Sequence, residues 1–321
     1  MLGQFYTGWV RIVSLHPAAT DLVHLLGLDD VLVGVSADSD WPPELVRRLP
    51  ILNTVSIDTR GLTSREIDEA ARDPHHGASL YHVDPRRLRA VRPDLILTQE
   101  VCEVCAVSRR DVERASLRLG YTPTVLSQNP VILDQVFADV MIVARAAGVL
   151  ERGRELVRVG RARIDAVRSR TVGLPRPRVF CMEWLDPPYS AGHWVPEMVE
   201  AAGGHDELGQ PGAYSRPIDW QAILDYEPEV MMLMPCSLSL DQIAAEFPLL
   251  AERPGWANLP AVQSRRVYAV DTHLFSRSGP RLIEGIEVLA RLLHPDVFSK
   301  PLADGNALSI SLDRGRLLPF C

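Results

Sequence analysis

A two-lobed α/β fold is what the 321-residue sequence predicts, and three observations carry the prediction. Short β-prone runs alternate with helical runs at the spacing of βαβ units, which calls for parallel sheets. A helix–Pro–acid–strand unit occurs once per half: Leu88 stands five residues before Pro93-Asp94-Leu95-Ile96-Leu97, and Ile223 five before Pro228-Glu229-Val230-Met231-Met232. At roughly 100–200 residues per domain, the length suits two lobes that each bury a core.

The elements follow in order. A strand at Arg11-Ile12-Val13 leads through Ser14-Leu15-His16-Pro17 into a helix over residues 18–26, stopped by Gly27. Residues 29–35 read as a second strand, 88–91 as the end of a helix stopped by Pro93, and Leu95-Ile96-Leu97-Thr98 as a buried strand. A helix over 112–119 ends at Gly120, and Thr124-Val125-Leu126 closes the amino-terminal lobe, residues 1–132. Val136, Val140, Val143, Leu150, Val157, Ile164 and Val167 fall three, four or seven apart, which is helical spacing. Residues 133–174 therefore form the connection, as one long helix or as two with a break near Gly148. Arg178-Val179-Phe180, leading to Trp184 as Arg11-Ile12-Val13 leads to His16, opens a second strand–helix series over 175–296. Residues 297–321 read as an irregular tail.

The formal charge of −7, pI near 5.7 and 46% hydrophobic content describe an ordinary globular chain. A net acidic protein lacks the broad basic surface that nucleic acid requires. The first ten residues show no secretory signal and no apolar run reaches membrane-spanning length, so a soluble cytoplasmic protein is expected, or a periplasmic one if the start is truncated. Five cysteines, an odd and scattered set, do not make a disulfide framework.

No nucleotide, hydrolase or metalloprotease signature occurs in the sequence. Its most informative local feature is Thr98-Gln99-Glu100-Val101-Cys102-Glu103-Val104-Cys105, a Cys-x-x-Cys at the carboxyl end of a predicted parallel strand, where open α/β sheets bind ligands. Cys236 follows the corresponding strand of the second lobe. Together Cys102, Cys105 and Cys236 are candidates to line a ligand site, to hold zinc, copper or an iron–sulfur cluster, or to form a redox pair. Aromatic residues in loops form a second candidate set: Trp41, Tyr81, Trp184, Tyr189, Trp194 and Phe275, joined by His16, His193 and His273. Pro-rich strand-end turns hold such rings rigidly, as stacking on a large planar ligand requires; each ring capping its own lobe's core is the alternative.

These residues resemble a known family. Arg11-Ile12-Val13-Ser14-Leu15-His16-Pro17-Ala18-Ala19-Thr20-Asp21-Leu22, Ser39-Asp40-Trp41-Pro42-Pro43 and Arg92-Pro93-Asp94-Leu95-Ile96 look like the first lobe of the vitamin B12-binding members of the cobalamin and ferric-siderophore ABC importer binding proteins. Pro187-Pro188-Tyr189-Ser190-Ala191-Gly192, Ala202-Gly203-Gly204 and Ser278-Gly279-Pro280-Arg281 agree in the second. The resemblance implies the class III periplasmic-binding-protein type: two Rossmann-like lobes joined by a long rigid helix, a corrinoid such as cobalamin in the interlobe cleft, and no bond chemistry. It implies ligand contacts from Trp41 and from the His273 region, with Tyr81, Glu100 and the other strand-end aromatics as candidates. The family's two docking glutamates fall on about Arg86 and Gln221, so salt-bridge docking to an ABC permease is expected to be lost. Residues 53–80 are longer than in the importer proteins. Two alternatives stand beside the corrinoid: a ferric-siderophore or haem binder, for which Arg109, Arg110, Arg216 and Arg277 offer cationic groups, and a thiol-based metalloprotein or enzyme using the three cysteines.

Overall fold

The structure is a computed structural model; it describes residues 10–55, 59, 61–72, 81–99, 107, 109–236, 238–299, 307–311 and 316–319. The chain folds as two units, one of Met1–Gly61, Glu69–Pro130 and Asp134–Val159, the other of Leu62–Asp68, Val131–Leu133 and Gly160–Cys321.

The first unit runs β1 (Ile12–Ser14), α1 (Pro17–Leu25), β2 (Leu32–Gly34), α2 (Pro43–Val46), β3 (Asn53–Val55), α3 (Ser64–Arg72), β4 (Tyr81–Val83), α4 (Pro85–Val91), β5 (Leu95–Gln99), α5 (Arg109–Ser116) and β6 (Thr124–Gln128). The first turn of α3 packs with the second unit. Four parallel strands lie in the order β2-β1-β5-β6, and β3 and β4 pair separately as an antiparallel ribbon. The expected strand over 29–35 shortens to β2 because Asp29–Val31 is a 3-10 turn, closed by Val31 N–H on the Leu28 carbonyl and by the His24–Asp29 pair at 2.9 Å.

The connection is two helices, α6 (Leu133–Ala146) and α7 (Leu150–Thr171). The break falls at Gly148, whose φ of +74° lets Val149 N–H reach back to the Ala144 carbonyl at 2.8 Å, a Schellman-type ending. Helix α7 is counted with the first unit up to Val159 and with the second from Gly160.

The second unit continues with β7 (Val179–Trp184), β8 (Tyr189–Ser190), α8 (Val195–Ala201), β9 (Arg216–Pro217), α9 (Trp220–Tyr226), β10 (Val230–Leu233), α10 (Leu240–Ala251), α11 (Pro260–Gln263), β11 (Val267–Val270), α12 (Leu282–Leu293), β12 (Ala307–Ser311) and β13 (Arg316–Pro319). Its sheet is β13-β12-β11-β10-β7-β8-β9, parallel through β11, β10 and β7 and antiparallel at both margins. The irregular tail expected at 297–321 is corrected here: it carries the β12–β13 hairpin, paired to β11 from Tyr268↔Ser309 to Val270↔Ala307. The short Ala307-Leu308-Ser309-Ile310-Ser311 alternation is too weak a signal without the edge strand it joins.

The helix–Pro–acid–strand repeat is built the same way twice. Asp84 caps α4 by accepting from the Arg86 and Arg87 N–H groups, and Asp219 caps α9 by accepting from Gln221. Each helix ends in a left-handed residue, Arg92 at φ +45° and Glu227 at φ +50°. The acid after the proline then binds the backbone of the neighbouring strand's leading arginine: Arg11 N–H donates to Asp94 Oδ2, and Arg178 N–H to Glu229 Oε2, both at 2.9 Å. Both arginine Nε atoms bond the helix end as well, at the Val91 and Glu227 carbonyls. These contacts set the registers Ile12↔Leu95 and Val179↔Val230.

Candidate functional site

In the first unit β1 delivers the chain to His16, the extended residue before Pro17 opens α1. His16 is 1% exposed, and its Nε2 lies 3.1 Å from Gln128 Oε1 at the end of β6. An amide oxygen only accepts, so Nε2 carries the proton and Nδ1 keeps a lone pair with no partner among the described residues. Burial lowers the pKa to about 4, partly offset by the Gln128 bond, so the imidazole is neutral at physiological pH.

Beside it runs a chain of buried hydroxyls. Ser14 donates to the His16 carbonyl and Thr20 to Ser14, both at 2.8 Å, so Ser39 donates to Thr20 at 2.7 Å and Ser36 to Ser39 at 2.9 Å. This one-way chain fixes the turn that carries Trp41 against β1 and α1. The Trp41 ring is half-buried, edge-on to His24 at 4.9 Å. Tyr81 packs into the first unit's core with Leu52, Leu88 and Val112. Glu100, Cys102 and Cys105 lie outside the described residues.

In the second unit β7, β10 and β11 run the same way, so the loops beginning near Glu183, Met234 and Asp271 leave one edge of the sheet. Trp184 donates its indole N–H to the Ser64 carbonyl at 3.1 Å, and Tyr189 donates its hydroxyl to Asp68 at 2.9 Å. Between them Asp186 receives both arms of Arg65 at 2.9 Å and Arg253 at 3.2 Å. The loop's aromatic heads are thus held by Ser64 and Asp68 of α3, a helix whose start is closed by a Thr63–Glu66 capping box.

Glu183 accepts from Gly192 N–H at 3.1 Å and from the Ser215 hydroxyl. Burial lifts its pKa to about 7 against the opposing pull of those two donors. Gly192 has no room for a Cβ, which would lie 2.5 Å from the Ala213 carbonyl oxygen and from Ser215 N. His193 follows at φ +49°, a left-handed conformation that costs a non-glycine residue of order 1 kcal/mol or more. Its ring sits 5.4 Å from Trp194 and 5.2 Å, edge-on, from Tyr214, and its Nε2 has no partner among the described residues. Burial lowers its pKa. Trp194 is buried and donates to the Phe275 carbonyl at 2.6 Å, with Phe275 also in the core. His273 is partly exposed, its N–H and Nδ1 at 3.0 and 3.4 Å from Asp271 Oδ1.

Cys236 follows β10, partly buried, and donates its N–H to the Glu183 carbonyl at 3.2 Å. Cys181 is buried in β7, where desolvation pushes its thiol up. Among the described residues no three His, Cys, Asp or Glu side chains form a metal-binding group.

Gln128, Glu183, Tyr214 and Ser215 escaped the sequence reading. Tyr214, 63% exposed, had one usable signal: it lies just after Gly212 and faces a loop whose own glycine, Gly192, permits the close approach.

Parallel strands deliver His16 in the first unit and the loops after Glu183, Met234 and Asp271 in the second, the arrangement of an α/β fold with its loops at the carboxyl ends of the strands. The chain belongs to the periplasmic binding protein family, whose sequence pattern matches residues 12–274. It is 24% identical over 298 residues to YvrC, an uncharacterized ABC transporter substrate-binding lipoprotein of Bacillus subtilis (strain 168), covering 90% of this chain and 82% of that protein. It is 23% identical over 256 residues to a vitamin B12-binding protein of Yersinia pestis, covering 77% and 80%. The periplasmic heme-binding protein RhuT of Roseiflexus sp. RS-1 shares its fold, with a TM-score of 0.67, 22% identity and coverage of 90% of this chain and all of that one. The fold expected from the resemblance is therefore the observed one.

Proposed function

We propose that the protein binds a corrinoid, cobalamin or a close relative, and carries out no bond chemistry on it. The observation that carries the reading is the Trp194–His193–Tyr214 cluster, rings in tilted and edge-on contact on a loop held by Glu183, with the outermost ring open to solvent. Such a cluster suits the flat apolar face of a macrocycle, and a vitamin B12-binding protein is among the relatives. Calorimetry with cyanocobalamin and cobinamide tests it: a Kd of about 1 μM or tighter, roughly −8 kcal/mol, is expected. Absence of heat with both overturns it.

Haem is the second reading, favoured by the half-buried His193 imidazole, whose Nε2 has no partner among the described residues and whose pKa burial lowers. Neither reading calls on Cys236 as a metal ligand.

Delivery to an ABC transporter fits the name of the YvrC relative. The positions expected to carry docking carboxylates, Arg86 and Gln221, are equivalent: both are exposed and donate their N–H to the capping aspartate of their helix. We infer that docking to such a transporter uses other groups. The cytoplasmic expectation draws no support from relatives described as a lipoprotein or as periplasmic, and we infer an extracytoplasmic role. No helix among the described residues is long and apolar enough to cross a membrane.

A further inference from the structure

Helices α4 and α5 concentrate positive charge on a chain whose net charge is −7: residues 84–94 and 109–118 hold eight arginines against four carboxylates. All eight arginines are exposed. The carboxylates are engaged close by: Asp84 caps α4 and faces Arg87 at 3.4 Å, Asp94 binds Arg11 N–H, Asp111 faces Arg114 at 3.7 Å and Glu113 faces Arg109 at 2.7 Å. Among the described residues Arg86, Arg89, Arg110 and Arg118 have no carboxylate within ion-pair distance.

Arg110, Arg114, Leu117 and Arg118 follow an i, i+4, i+7, i+8 pattern, one face of α5 and the turn that continues it, while Val112, Ala115 and Leu119 point into the core. Leu117 is 84% exposed among these guanidinium groups. Beside it opens a cavity of about 530 Å³ with Arg109, Ser116, Leu117 and Tyr121 in its wall, together with Glu113, whose carboxylate is paired with Arg109. Among the described residues the buried Ser116 and Tyr121 hydroxyls have no hydrogen-bond partner, and burial holds the Tyr121 phenol above its ordinary range, so it stays a donor. The Arg92 guanidinium lies 6.0 Å from the Tyr121 ring, which brings α4's charge to the same place.

We propose that this face docks the protein on an anionic phospholipid bilayer, with a phosphate headgroup taken up beside Arg109, Ser116 and Tyr121 and Leu117 entering the interface. Guanidinium groups pair phosphate oxygens bidentately, the orphan hydroxyls supply the remaining donors, and an exposed leucine on a face of arginines suits a boundary where an apolar phase meets anions. Nucleic acid would gain nothing from Leu117 and would meet the repulsion of the acidic remainder.

The test is co-sedimentation of the full chain with vesicles of phosphatidylcholine alone or with about one-third phosphatidylglycerol, at about 50 and about 300 mM salt. Binding is expected only with phosphatidylglycerol and should weaken about tenfold or more at the higher salt. R110A/R114A/R118A, its fold checked by circular dichroism, should lose about tenfold or more in vesicle affinity, and L117S should weaken binding while leaving its salt dependence in place. Absence of vesicle binding, equal binding to phosphatidylcholine, or an unchanged triple variant overturns the proposal. Glycerol 3-phosphate binding to a protein that ignores vesicles also overturns it, by making the cavity a free-anion site.

Discussion

Ser64 donates both its backbone N–H, at 2.8 Å, and its hydroxyl to the Glu246 carboxylate, and both residues are buried in the second unit. A carboxylate in mid-helix α10 is thereby satisfied by the first turn of a helix 182 positions earlier in the chain. Ile67 packs on the same core. Because a buried carboxylate stripped of its partners costs far more than an exposed one, this pair fixes residues 62–68 as a permanent part of the second unit.

Ser64→Ala should accordingly destabilise the protein by about 1–3 kcal/mol, the penalty of a buried acceptor left short of a donor. Arg65→Ala, which removes a largely exposed arm from Asp186, should cost no more than about 1 kcal/mol. Urea unfolding of the two variants checks the contrast, and equal losses would show that the Ser64 bonds are not the anchor.

Tyr214→Ala should weaken corrinoid binding by about 1–3 kcal/mol with little loss of stability, since the ring is mostly exposed. Trp194→Ala should instead destabilise by about 3–5 kcal/mol, because a buried indole leaves a cavity and an orphaned Phe275 carbonyl. Calorimetry and thermal unfolding, run on both variants, separate the ligand-facing ring from the supporting one.

Two buried groups give opposite pH slopes. Glu183, raised to about 7, holds a proton in the native state that the unfolded chain releases near its ordinary value of 4.5. Its contribution is therefore full below that value and is lost as pH rises to about 7. His16, lowered to about 4, stays neutral while the unfolded imidazole protonates below its ordinary 6.5. Its contribution is present above 6.5 and falls by up to about 3 kcal/mol as pH drops toward 4. Against the wild type, Glu183→Gln should flatten the decline toward neutral pH and His16→Asn the decline toward acid. Stability curves of either variant parallel to the wild type's across pH would contradict the assignment.

The strands and connecting helices were legible because their signals are local. Leu88–Pro93–Asp94 and Ile223–Pro228–Glu229 spell out a helix end, a turn and a strand start within a dozen residues, and the Arg11–Asp94 and Arg178–Glu229 bonds are what that spelling builds. The anchoring of Ser64 on Glu246 was not legible, since its partners are far apart in sequence and neither stands out alone. For Trp194 and Phe275 the sequence leaves ligand contact and core packing both open, because an indole and a phenyl ring look the same in a loop whether they face solvent or the core; in the structure both are buried. Tyr214 gives the converse case: its contact with the His193 ring joins separate loops, and apart from Gly212 nothing in its own neighbours in sequence announces it.

The central claim, that the ligand is a corrinoid, is tested most directly by a visible-absorbance titration in which the same protein sample is offered cyanocobalamin, cobinamide, haemin and a ferric siderophore in parallel. The expected result is saturable binding of a corrinoid at about micromolar concentration or below, tighter than for the other two classes. Saturation by haemin or the siderophore, with neither corrinoid bound, would contradict it.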